Sequence, residues 1–444
     1  MYRIWNIYVL AAFGTIGGMI FGFEISSMSA WIGSDQYLEY FNHPGSAEQG
    51  GITASMSAGS FVGSLLSGWL ADRLGRRLAI QIASVDWIIG AVLQCSSQNV
   101  AHLVVGRIVS GLAIGITSSQ CIVYLSELAP SRIRGRVVGI QQWSIDWGDR
   151  GNVVVLSELE EVREAARIAA ESKEIGYLGL FAPKMWKRTL VGVSAQVWQQ
   201  LLGGNVMLYY LVYIFNMAGM SGNAALTSSI IQYVIFLVTT GGVLFVIDRM
   251  GRRWLLIVGA IICGIIHFTV GAVMAVYGHH VDNVDGIDIL KWQISGPPAK
   301  AVIALCYIFV GIWVTWAPGA WIYCGEVFPL KYRAKGVGLA AAGNWAFNLA
   351  LAFFVPPAFT NIQWKAYMIF GTFCIAMVFH VYFMYPETVK KSLEEIDVLF
   401  DDNIPAWRSA SAVSTFEEKV VRVKETGGLE ELKQQGDLDH AEKV

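Results

Sequence analysis

Residues 72–77, Asp-Arg-Leu-Gly-Arg-Arg, return 176 positions later as residues 248–253, Asp-Arg-Met-Gly-Arg-Arg. A second string behaves the same way. Tyr124-x-x-Glu127-x-x-Pro130-x-x-x-Arg134 returns 199 positions later as Tyr323-x-x-Glu326-x-x-Pro329-x-x-x-Arg333. The offsets differ by 23, which fits a longer loop near 278–300 in the second half. Two motifs repeated in the same order mark two homologous halves, an architecture common among transporters.

The sequence between the motifs names the solvent. The 444-residue chain is 55% hydrophobic and only 15% charged, with a mean hydropathy of +0.49. Soluble domains carry about 25% charged residues. Ten runs reach the roughly 20 apolar residues needed to cross a bilayer: about 5–29, 51–71, 78–97, 101–124, 189–216, 225–247, 254–277, 301–324, 336–359 and 366–385. Backbone in lipid must satisfy its own hydrogen bonds, so each run is predicted to be a helix. The fold class is an all-α membrane protein. Gly14, Gly17, Gly18, Gly59 and Gly63 suit close helix packing.

Composition also excludes. A net charge of −2 gives no general attraction to nucleic acid. The six cysteines are scattered, without metal-ligand or disulfide-framework spacing. His279 and His280, adjacent in a loop, make a poor metal site and read as solvated. No catalytic nucleophile–base set, Walker loop or dinucleotide fingerprint is present, so neither an enzyme, an ATP-driven pump nor a cofactor is expected. No cleavable signal peptide is evident.

Bases cluster in five loops: Arg73/Arg76/Arg77, Arg132/Arg134/Arg136, Lys184/Lys187/Arg188, Arg249/Arg252/Arg253 and Lys331/Arg333/Lys335. The opposite loops hold few, so these five and both termini are predicted to be cytosolic. The tail from 386 is polar and expected to be mostly disordered.

The halves are unequal. After Glu326 two more runs follow, but after Glu127 only Val137–Gly148 is apolar, too short to cross. Residues 149–188 are hydrophilic. Ser157-x-x-Glu160 reads as a capping box, and Leu156, Leu159, Val162 and Ala166 form the stripe of a surface helix. The predicted organisation is a truncated first repeat at 1–148, a cytosolic helical linker at 149–188, a six-span second repeat at 189–385 and a cytosolic tail at 386–444.

These strings resemble the sugar porter family of the major facilitator superfamily. The resemblance rests on GGMIFGFE (17–24), DRLGRR (72–77), GRIVSGLAIG (106–115), YLSELAPSRIRG (124–135), QQLLGGNVMLYY (199–210), DRMGRR (248–253), WAPGAWIYCGEVFP (316–329), NWAFN (344–348) and PET (386–388). ISSMSAWIG (25–33) and VPPAFTNIQW (355–364) are similar to fungal hexose transporters. The resemblance implies a two-repeat helical bundle, here with about ten full spans instead of twelve. The fifth span is mostly absent and the sixth entirely, between Gly148 and Asn152.

Glu24 lies deep in an apolar run, with Arg107 as its expected partner. A carboxylate in that setting can take up and release a proton. The resemblance implies that the pair links protonation to sugar binding, although the family usually has Asp there. Amides offer both donor and acceptor to hydroxyls, which makes Gln142, Gln199, Gln200 and Asn205 candidate sugar contacts, with Asn344 and Asn348 as further ones. Aromatic faces pack against sugar C–H faces, which adds Phe21, Tyr209, Trp321 and Trp345. Phe236 stands where relatives usually carry Asn. Asp86 and His267 are intramembrane polar groups read as helix-packing residues. Asp72, Arg76, Arg77, Glu127 and Arg134, with Asp248, Arg252, Arg253, Glu326 and Arg333, sit at cytosolic helix ends and are expected to latch the halves in one state.

The expected function is transport of a monosaccharide, with hexose favoured, across the plasma membrane by alternating access with a proton partner. Two rivals stay open: a transport-inactive truncated member, and a transporter-like sugar sensor, against which the short tail of 58 residues after Pro386 argues.

Overall fold

The computed structural model describes residues 24, 35–42, 44–128, 176–219, 223–284, 290–389, 391 and 393–411. Among these, nine of the ten predicted runs are helical. The short α1 (Asp35–Tyr40) leads into α2 (Ser46–Leu74), α3 (Arg76–Cys95) and α4 (Val100–Leu128). The second half holds α5 (Trp186–Leu201), α6 (Gly204–Met217), α7 (Asn223–Met250), α8 (Arg252–Tyr277), α9 (Pro297–Trp313), α10 (Ala317–Val327), α11 (Arg333–Asn361) and α12 (Lys365–Met384). The run at 5–29 lies outside the described residues apart from Glu24, as does the surface helix expected at 156–166.

Two runs are not continuous helices. The run at 189–216 breaks at Gly203, which adopts φ +87°, and the run at 301–324 breaks between Trp313 and Ala317. Six described helices are long and apolar enough to cross a membrane by length and composition, counting α9 and α10 as one.

The repeated motif works as a turn. Gly75 and Gly251, its two glycines, both adopt positive φ (82° and 89°) between consecutive helices. That region strains any residue with a Cβ. Glycines also set the close contact of α2 with α4: a Cβ on Gly59 or Gly63 would overlap the carbonyls of Ile108 and Leu112.

The halves meet along α2 and α11, which run antiparallel from Gly50 beside Ala352 to Asp72 beside Lys335. Within the second half, α8 packs on α12 and α9, and α5 packs on α10 and α11. The main apolar core belongs to the second half, with Met56 and Ile114 reaching in from the first. His279 and His280 form an exposed two-residue strand, β1, paired antiparallel with β2 (Trp292–Gln293).

Residues 386–389 and 393–411 are more ordered than their polarity suggests. Helix α13 (Leu393–Asp401) buries Ile396 and Leu399, and its Asp397 and Asp401 pair with the buried Arg188. A 3-10 turn (Ala406–Ser411) follows, whose Ser409 hydroxyl accepts the Glu387 amide at 2.7 Å. An apolar stripe and acids opposite a basic helix start suffice to dock this segment; the reading of polar composition as disorder missed both.

Candidate functional site

The break after Leu201 leaves Gln196, Gln199 and Gln200 on the last turns of α5, all buried against α11. Spacings of three and four place them on one face. Asn344 on α11 donates to Gln196 Oε1 at 2.8 Å and Gln199 Oε1 at 2.6 Å, and accepts from Gln200 Nε2 at 2.8 Å. Asn348 donates to Gln200 Oε1 at 3.2 Å and accepts from the Ser57 hydroxyl of α2 at 2.5 Å. Gln199 also donates to the Ala317 carbonyl at 2.8 Å, beside the second helix break. Five amides therefore share one network that joins both broken helices to the other half.

Sequence reasoning found Gln199, Gln200, Asn344 and Asn348 but missed Gln196 and Ser57. Gln196 was legible by helical spacing from Gln199 and Gln200; Ser57 depends on how the halves dock. Trp345 is fully buried and donates to the Ser118 hydroxyl of α4 at 3.4 Å. Trp321 is only half-buried, makes no hydrogen bond to the amides, and packs on the apolar cluster that contains Ile247, Leu255 and Phe328. Phe236 stacks on Trp313, with centroids 5.5 Å apart, so an aromatic wall stands there. Asn205 and Tyr209 belong to α6, but their side chains lie outside the described residues, as do Gln142, Phe21 and Arg134.

Glu24 and Arg107 do come together, both buried, with Nη1 to Oε1 at 3.8 Å. Closer partners hold each group. Gln94 and Ser110 donate to Glu24 Oε1 at 2.9 and 3.1 Å, while Arg107 Nε donates to the Ile52 carbonyl at 2.9 Å. A carboxylate with neutral donors as well as a cation keeps hydrogen bonds when the ion pair loosens.

The expected cytosolic latch divides in two. In the second half, Arg252 meets Asp248 at 2.9 Å and Glu326 at 3.0 Å, all buried. Thr388 donates to Glu326 at 2.7 Å, and Glu387 accepts the Arg252 and Arg253 backbone amides at the start of α8, at 2.9 and 3.2 Å. Arg253 donates to the Tyr382 carbonyl, and Arg333 Nε donates to the Phe328 carbonyl. In the first half, Arg76 meets Glu127 at 3.2 Å, part-exposed, while Arg77 is exposed. Asp72 reaches across the halves to Lys335 at 2.6 Å, a partner that sequence did not name.

The family model described as sugar (and other) transporter matches residues 10–151 and 150–400. A high-affinity glucose transporter of Kluyveromyces lactis is 43% identical over 484 aligned residues, covering 93% of this chain and 88% of the relative. High-affinity glucose transporter 1 of Candida albicans is 38% identical, covering 92% and 88%. The proton:xylose symporter XylE bound to 6-bromo-6-deoxy-D-glucose superposes with TM-score 0.73 at 22% identity, over 90% of this chain and 100% of that one, and so shares the fold. The Kluyveromyces alignment is 484 positions long against a chain of 444, so at least 40 positions face a gap in this chain. The family match itself divides at 150–151. With both repeats matched in order, the chain belongs to the sugar (and other) transporter family of the major facilitator superfamily and is a multi-pass membrane protein.

Proposed function

We propose that the protein moves a hexose across the plasma membrane, by alternating access of one site between its halves, coupled to a proton. The observation that carries this reading is the buried amide network of Gln196, Gln199, Gln200, Asn344 and Asn348 at the junction of α5, α10, α11 and α2. Buried amides bonded to one another can exchange those bonds for sugar hydroxyls without leaving a polar group unsatisfied. The glucose-transporting relatives support hexose as cargo.

The rest of the cycle is assigned by resemblance to the family. Trp345, Trp321, Tyr209 and Phe21 offer ring faces to the sugar, and Asn205 and Gln142 offer further amides. Glu24 takes the proton, and Arg107 holds the deprotonated carboxylate. Salt bridges at the cytosolic ends, above all Asp72 with Lys335, hold the inward path shut and part when it opens. Both termini and the five basic loops face the cytosol, and the ten spans lie in the lipid bilayer.

A second reading is favoured by one observation: the family match divides at 150–151, and the alignment to the Kluyveromyces relative is longer than this chain, which supports the loss of two spans from the first repeat. The chain would then insert and fold but not transport. Radiolabelled glucose uptake in transporter-deficient cells, alongside surface biotinylation, decides between them. Saturable uptake that an uncoupler abolishes, and that Glu24→Gln loses, is the expected result. Full surface delivery with no uptake overturns transport and leaves the inactive reading standing.

A further inference from the structure

His267 is buried in α8, one helix away from the amide network, at the break between α5 and α6. Its Nε2 lies 2.9 Å from the Leu202 carbonyl. A carbonyl only accepts, so Nε2 carries the hydrogen. A helix that stops inside an apolar bundle leaves its last carbonyls without the amides of the next turn. Leu202 is the residue at which α5 stops, and Gly203 then turns the chain at φ +87°, ψ 9°. The imidazole thus donates to a carbonyl that the break has set free. Its ring is wedged between Phe309, 4.7 Å away, and Phe370, 5.7 Å away. On its other side it closes on Gly203, where an added Cβ would stand 3.2 Å from Nε2. The donor is therefore fixed by packing and directed at the hinge.

The break separates Gln199 and Gln200 from Asn205. Any change in the angle at Leu202–Gly203 changes how the two half-helices present those amides. We propose that His267 is a positioning residue for the sugar site: it holds the α5–α6 break at the angle that brings the amides of both half-helices to one ligand. It touches no ligand itself. The inference rests on the reading of Gln199, Gln200 and Asn205 as sugar contacts.

Two substitutions separate the donor from the packing. His267→Phe keeps an aromatic ring between Phe309 and Phe370 but has no donor. His267→Gln keeps an N–H at about the reach of Nε2 but loses the ring. The purified chain in nanodiscs is followed by thermal unfolding, by glucose titration and by hydrogen exchange of the amides at 202–207. His267→Phe is expected to keep the unfolding temperature, to speed exchange at 202–207 and to weaken glucose about tenfold, the scale of one lost buried hydrogen bond. His267→Gln is expected to unfold earlier and to keep wild-type glucose affinity. Affinity that falls in step with unfolding temperature in both variants overturns the proposal, as does wild-type exchange at 202–207 in His267→Phe. If the wild-type chain binds no glucose, the sugar reading fails, and exchange at the break still decides whether His267 holds it.

Discussion

Helices α3 and α8 start on the same six-residue motif and the same glycine turn, yet their surroundings differ. Three residues of α3 are buried out of 20, Ala79, Ala83 and Gly90. Fourteen of the 26 residues of α8 are buried. The cause is a neighbour. Helix α12, the sixth span of its repeat, lies along α8, whereas among the described residues α3 packs chiefly on α4 and α2. The same holds one step away. Helix α2 packs along α11, the fifth span of the opposite half, whereas its counterpart α7 packs chiefly on α6, α8 and α9. The charged motif follows suit. Glu387, just past α12, caps α8, whereas among the described residues no carboxylate caps α3. A duplicated fold thus provides its own control: the same motif and turn open a largely buried helix in one half and a largely exposed one in the other.

The largest expected effect comes from restoring the symmetry. Inserting the two-span segment of the Kluyveromyces lactis relative between Gly148 and Asn152 should raise glucose uptake severalfold at equal surface density. It should also protect α3 from a lipid-phase photolabel. Unchanged labelling of α3 would show that the comparison of halves misidentifies what α3 lacks. Next in size is the charge pair. Arg252→Ala strands the buried Asp248 and Glu326 and should cost about 3–5 kcal/mol. Arg76→Ala, at a pair with side chains 30% and 21% exposed, should cost about 0–1 kcal/mol. Thermal unfolding in detergent compares the two, and equal losses would break the contrast.

How much of this was legible in the sequence follows from which forces act locally. Hydropathy placed nine described runs as helical because lipid leaves the backbone no other partner. It ran through the breaks at Gly203 and at Val314–Trp316, because a helix and a broken helix have the same composition. The Glu24–Arg107 pair was legible because charge in an apolar run needs a partner. Gln94 and Ser110, which hold Glu24 more closely than Arg107 does, were not, since an amide or hydroxyl in a span signals nothing on its own. Arg188 was read as a topology signal. Its bond to Asp397 required knowing that the tail folds back.

Packing gives a smaller version of the contrast. Ile266 on α8 is 5% exposed and Ile88 on α3 is 57% exposed. Ile266→Ala should cost about 2–5 kcal/mol through lost contacts and a cavity, whereas Ile88→Ala should stay within about 0.5 kcal/mol. Losses of the same size at both sites would mean that α3 is covered after all.

The smallest effect lies where the linker joins the halves. Tyr177 opens the 3-10 turn (Tyr177–Phe181) before α5, and its hydroxyl donates to the Leu65 carbonyl of α2 at 2.5 Å. Gly68 and Gly338 leave room for that ring between α2 and α11. Burial, helped by the charge of Asp72, pushes the phenol from 10 up to about 12. A folded-state pKa above the unfolded one means that the bond stabilises fully below pH 10 and that its contribution is lost as pH rises through 12. Tyr177→Phe should therefore cost about 1 kcal/mol near neutral pH. The gap between variant and wild type should shrink between pH 10 and 12, because the wild type must then ionise a buried phenol to keep pace with its unfolded chain. Chemical unfolding of both proteins across that range reads the difference directly, and a gap that stays constant with pH would mean that Tyr177 serves the seam by its ring alone.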